Sequence, residues 1–132
     1  MRERCPAAKI LGRATLHGHR WIISKRGFAN VVVSASEAVE GVLYELTLAD
    51  ESSLDAAEGV AQRSYEKKKL SVSFGAKSIT AMIYVDPVVE EGVPSDEYAA
   101  RINLGVADAG LPEEYVTKHI RKYVPSPASL LI

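Results

Sequence analysis

A chain of 132 residues with 47% hydrophobic and 25% charged residues is sized for one domain, one that buries about 68% of its unfolded surface. Its ordinary composition excludes a disordered or collagen-like chain, and a formal net charge of -1 lacks the basic surface that nucleic acid or an anionic membrane demands. The single cysteine, Cys5, excludes an intrachain disulfide framework, fits a reducing compartment and has no nearby histidine to make it a nucleophile.

The first two-thirds reads as β. Gly12 to Ser24 alternates in residue type, with Thr15, Leu16, Trp21, Ile22 and Ile23 supplying strand propensity. Lys25-Arg26-Gly27 punctuates it, Phe28 to Val33 makes a short second strand, and Ser34-Ala35-Ser36-Glu37 reads as a turn. Val39 to Leu46 is a third strand, apolar enough to be buried on both sides. Thr47-Leu48-Ala49-Asp50 has the hydroxyl-then-acid spacing of a capping box, starting a helix that runs to Ala57 with Gly59 as its stop. Tyr65 to Phe74 places Leu70, Val72 and Phe74 on one face and Lys67, Lys69, Ser71 and Ser73 on the other. Gly75-Ala76-Lys77 turns the chain into Ser78 to Val85, where Tyr84 and Met82 lie opposite Ile79, Ala81 and Ile83, completing a hairpin. Beyond Asp86-Pro87 a loop reaches Pro94. Ser95 caps a helix through Ala107, closed by Gly110, and Pro112 opens a last helix that ends near Val124. Strands early and helices late make an α+β arrangement in a single domain, residues 1–132.

No apolar stretch approaches the roughly 20 residues of a membrane helix. Met1-Arg2-Glu3-Arg4-Cys5-Pro6 has no apolar signal core, so a cytoplasmic protein is expected. The Glu66-Lys67-Lys68-Lys69 run is the only dense positive cluster and reads as a solvated or edge face. His17 and His19 share a strand face with a spacing compatible with metal. No third ligand is evident, so they read as a solvent-facing pair and no metal site is expected. No phosphate loop or nucleophile elbow is present, and no cofactor is implied.

Leu54-Asp55-Ala56-Ala57-Glu58-Gly59-Val60 sets a carboxylate at the last turn of a short helix, where a single general base can be held. That block, with Leu16-His17-Gly18-His19-Arg20-Trp21, Ala29-Asn30-Val31-Val32 and Val39-Glu40-Gly41-Val42-Leu43-Tyr44-Glu45-Leu46, resembles the γ-glutamylcyclotransferase family. Tyr65, Tyr84-Val85, Pro94-Ser95-Asp96-Glu97-Tyr98 and Gly110-Leu111-Pro112-Glu113-Glu114-Tyr115 extend the resemblance in order and spacing. It implies a small distorted mixed β-barrel with flanking helices and a pocket at one mouth. The first residues resemble the segment after the family's opening strand and its Tyr-Gly-Ser-Asn substrate turn, so both are expected to be missing.

The resemblance implies that Glu58 is the indispensable acid and that Tyr84 and Tyr98 shape the substrate pocket, while Tyr65 and Tyr44 read as structural. The negative end of the helix and partial desolvation are expected to raise the proton affinity of Glu58. The implied reaction cyclises an N-terminal γ-glutamyl group to 5-oxoproline with release of an amino acid or amine. A non-catalytic binding domain on the same fold, inactive for want of the substrate turn, is the alternative. The expected partner is a small γ-glutamyl substrate, with no nucleic acid and no membrane. A barrel short of one strand exposes unpaired edges, so the chain is expected either to form a homodimer through them or to be poorly soluble.

Overall fold

The computed structural model describes residues 8–57 and 65–127. Strands β1 (Lys9–Ile23), β2 (Ala29–Glu45), β3 (Glu66–Phe74) and β4 (Lys77–Val85) are interleaved with helix α1 (Leu48–Ala57) and followed by α2 (Asp96–Ala109). A short α3 (Glu113–Tyr115) runs into a π-helical turn, Val116–Ile120. The sheet order is β2-β1-β3-β4, with β1 antiparallel to β3 and β3 antiparallel to β4. Among the described residues β2 and β4 do not pair to close it, which is the distorted form of the expected barrel with its flanking helices. No helix among them is long and apolar enough to cross a membrane.

The hairpin forms as its alternation requires. Phe74 pairs with Lys77 across a two-residue loop, and the register carries Val72 opposite Ile79 and Lys67 opposite Tyr84. Val72 and Val85 are buried, whereas Lys67 and Lys69 stand on the exposed face. Helix α2 also matches its signals. Ser95 Oγ accepts from the Tyr98 N–H at 3.2 Å, and Gly110 ends the helix in the left-handed region at φ 60°, which glycine enters without penalty.

Three expectations are corrected. Ser34-Ala35-Ser36-Glu37 is not a turn: β2 runs unbroken through it, because pairing with β1 supplies the backbone hydrogen bonds that a turn would otherwise satisfy locally. The second half of β2 is not buried on both sides, since only Val39 is buried and the strand is outermost in the described sheet. The last helix is not one regular helix from Pro112 to Val124. Pro112 is its cap, and the α-helical hydrogen bonds give way after one turn to the wider π pattern, where the Arg121 N–H donates to Val116 O at 2.9 Å.

The chain forms two compact units: residues up to His17 with Val39–Pro87, and Gly18–Ala38 with Val88 onward. Gly18, at φ 73° in mid-strand, stands at the boundary where β1 passes from the first unit to the second, a backbone conformation costly for a residue with a Cβ. In the second unit Val116, Ile120 and Val124 form a buried cluster against Trp21, Ile102, Val106 and Tyr123. Ile22, Ile23 and Val124 are wholly buried, each contributing about 1.5–3 kcal/mol by leaving water.

Candidate functional site

In the first unit, helix α1 starts on a reciprocal cap. The Thr47 N–H donates to Asp50 Oδ2 at 3.2 Å, and the Asp50 N–H donates to Thr47 Oγ1 at 3.1 Å. The buried Leu54 anchors the far end of the helix. With the start capped and the end packed, the side chain at the next position, Asp55, is held at a defined place.

Asp55 is met there by a cross-strand pair of the hairpin. The Tyr84 hydroxyl donates to Asp55 Oδ1 at 2.5 Å, and Lys67 Nζ donates to Oδ2 at 3.0 Å. Lys67 also reaches Glu51, one turn earlier on α1, at 3.5 Å. The Tyr84 hydrogen bond, and after it the Lys67 hydrogen bond, hold the Asp55 carboxyl below the usual carboxylate range. The Asp55 carboxylate in turn raises the Lys67 ammonium above its ordinary value. Chemically, the arrangement turns the Tyr84 proton toward Asp55.

The same face of the sheet carries a polar row. Thr15 Oγ1 donates to both oxygens of Glu40, at 3.0 and 3.1 Å, and His17 Nε2 lies 3.1 Å from Ser73 Oγ. Among the described residues no three His, Cys, Asp or Glu side chains gather as metal ligands.

Of the three residues singled out in the sequence, Tyr84 lies in the first unit and Tyr98 in the second. The Tyr98 hydroxyl accepts from the Ala29 N–H at 3.1 Å, and its ring meets Phe28 edge-on at 5.3 Å between centroids. Tyr98 therefore fixes the start of β2 while keeping its own proton to donate. Glu58 lies outside the described residues, as do Gly59 and Cys5.

The second unit holds its own carboxylate cluster. Arg20 Nη1 donates to Glu91 Oε1 at 2.7 Å and to the Tyr123 hydroxyl at 3.3 Å, while Tyr123 donates to the same Glu91 oxygen. Lys122 Nζ adds a contact at 3.4 Å. The Tyr123 and Arg20 hydrogen bonds push Glu91 down to about 2. Burial, and then the bond to Glu91, raise the Tyr123 hydroxyl.

Sequence reasoning missed Asp55, Lys67, Arg20, Glu91 and Tyr123 as interacting groups. One signal was available for the first pair. A two-residue loop at Gly75-Ala76 sets Lys67 opposite Tyr84.

The sequence matches the family model described as the AIG2-like family over residues 38–118. The γ-glutamylcyclotransferase of Mus musculus is 34% identical over 93 residues, covering 70% of this chain and 50% of that protein. The Homo sapiens counterpart is 32% identical over the same coverage. The chain thus spans about half the length of the curated relatives it matches. A solved structure titled gamma-glutamyl cyclotransferase superposes with a TM-score of 0.82 at 25% identity, covering 99% of this chain and 83% of that one.

Proposed function

The chain belongs to the AIG2-like family, and from that membership we propose that it is a γ-glutamyl cyclotransferase acting on a small γ-glutamyl amino acid, peptide or amine. One observation carries the reading: the family match over residues 38–118 encloses Glu58, Tyr84 and Tyr98 together. Relatives that bear the name γ-glutamylcyclotransferase support it.

In the proposed reaction the α-amine of the γ-glutamyl unit attacks its own γ-carbonyl carbon. A C–N bond forms to close the five-membered lactam, and the γ-amide C–N bond breaks. Ring closure has the proximity advantage built in, so the protein must mainly supply proton traffic. Glu58 takes a proton from the α-ammonium and returns one to the departing nitrogen, a task suited to a carboxylate whose proton affinity approaches neutrality. Tyr84, held by Asp55, helps shape the substrate pocket.

The test is 5-oxoproline release across a panel of γ-glutamyl compounds, for the wild-type protein and Glu58→Gln. The nearly isosteric substitution keeps the fold and is expected to lower release by about 10²–10⁴-fold. Release by Glu58→Gln near the wild-type rate would remove Glu58 as the base. A folded wild-type protein that releases none from any compound would instead be the non-catalytic binding domain on this fold.

A further inference from the structure

The second unit carries a cavity of about 170 Å³ that the proposed reaction does not use. Arg20 and Trp21 of β1, Glu37 of β2, and Lys118, His119 and Lys122 of the C-terminal segment line it, and Tyr123 completes the wall. Three permanent cations and an imidazole therefore face one lining carboxylate. Glu91, which is not among the lining residues, takes Arg20, Lys122 and Tyr123 through a single oxygen.

The positive charge of the wall is only partly spent. Arg20 uses Nη1 alone among the described residues, which leaves the rest of its guanidinium fork for a bidentate anion contact. Lys118 has no ion-pair partner among the described residues. Lys118 and Lys122 line the same cavity as two like charges, which an anion between them would relieve. The π-helical turn Val116–Ile120 delivers Lys118 and His119 to the wall, and such widened turns recur at functional sites. Trp21 and Tyr123, edge to face at 5.9 Å, supply an apolar surface beside the charges.

We propose that this cavity binds a small organic anion. Its carboxylate or phosphate head lies among Lys118, Lys122 and the unspent edge of Arg20, its body rests against Trp21, and a hydroxyl or ammonium donor turns to Glu37. A volume of about 170 Å³ falls below the roughly 300–1,000 Å³ of drug-sized sites, so the ligand is of amino-acid size. The head is a shared chemistry, and the experiment separates its two forms.

Trp21 is the single tryptophan of the chain and therefore a built-in reporter. Its fluorescence is titrated in the full-length chain with O-phosphoserine, L-glutamate and inorganic phosphate. A saturable change with a Kd of about 1 mM or tighter is expected for one of the two amino acids. Tighter binding of O-phosphoserine assigns a phosphate head, and tighter binding of glutamate a carboxylate head. Lys118→Gln, at an exposed position, should weaken that binding about tenfold with unchanged circular dichroism. Glu37→Gln should weaken the amino acid while sparing inorganic phosphate. No saturable change with any probe up to about 10 mM, equal binding by Lys118→Gln, or inorganic phosphate binding as tightly as both amino acids would overturn the proposal.

Discussion

Each compact unit solves the same problem once: a carboxylate grips a tyrosine hydroxyl and a cation. In the first, Asp55 takes Tyr84 and Lys67 on separate oxygens. In the second, Glu91 takes Tyr123, Arg20 and Lys122 on one. The routes to these contacts differ. Lys67 and Tyr84 are neighbours by hairpin register, so a single helix placement completes the first cluster. The second gathers residues separated by 71 and 103 positions, so only the folded path of the unit brings them together. The denser donor set also perturbs its acid more, taking Glu91 to about 2.

Breaking the packing beneath either cluster should cost most. Ile22→Ala, at a wholly buried position of the second unit, is expected to destabilise by about 2–5 kcal/mol in urea unfolding. Leu54→Ala, beside Asp55, should fall toward the lower part of that range because Leu54 retains 5% exposure. Loosening the helix that carries the first acid is the next largest effect. Thr47→Ala removes half of the reciprocal cap and should cost about 1 kcal/mol, with the Asp55 carboxyl moving back toward its ordinary value in NMR titration.

Acid separates the clusters further. The Glu91 carboxyl lies at about 2 when folded against an ordinary 4.5, so the stability it lends is complete above pH 4.5 and is lost as pH falls toward 2. Glu91→Gln should flatten that part of the stability profile, by a modest amount because the side chain is 41% exposed and solvent screens the pair. The smallest effects are the most diagnostic. Tyr123→Phe should raise the Glu91 pKa, and Tyr84→Phe should raise that of Asp55, with the larger displacement at Glu91. Equal displacements would mean that the denser donor set makes no difference.

Elements specified within a few residues were legible in the sequence. The Thr47/Asp50 box and the Ser95 and Gly110 caps appear in the structure where their local chemistry puts them, and the hairpin turns at Gly75-Ala76, one residue shorter than the Gly75-Ala76-Lys77 expected, because Lys77 already pairs with Phe74. The failures share a cause. Ser34-Ala35-Ser36-Glu37 has turn composition, but the neighbouring strand supplied the hydrogen bonds that make it extended. Lys67 reads as one charge in a solvated run until α1 is known to bring Asp55 and Glu51 beside it. The regular helix expected after Pro112 ignored how the buried cluster of Val116, Ile120 and Val124 would be met, and the structure widens that turn.

From its residues alone the chain declared the start of α1 and both ends of α2, the hairpin, its family resemblance and three positions on which a reaction can be argued. Those features live in backbone preferences and short spacings, which every conformation of the chain already carries. Which carboxylate meets which tyrosine, and which lysines come to face a common hollow, was decided only by the tertiary structure. Hydrogen bonds and ion pairs act over about 3–4 Å, and no local preference brings side chains 103 positions apart to that distance.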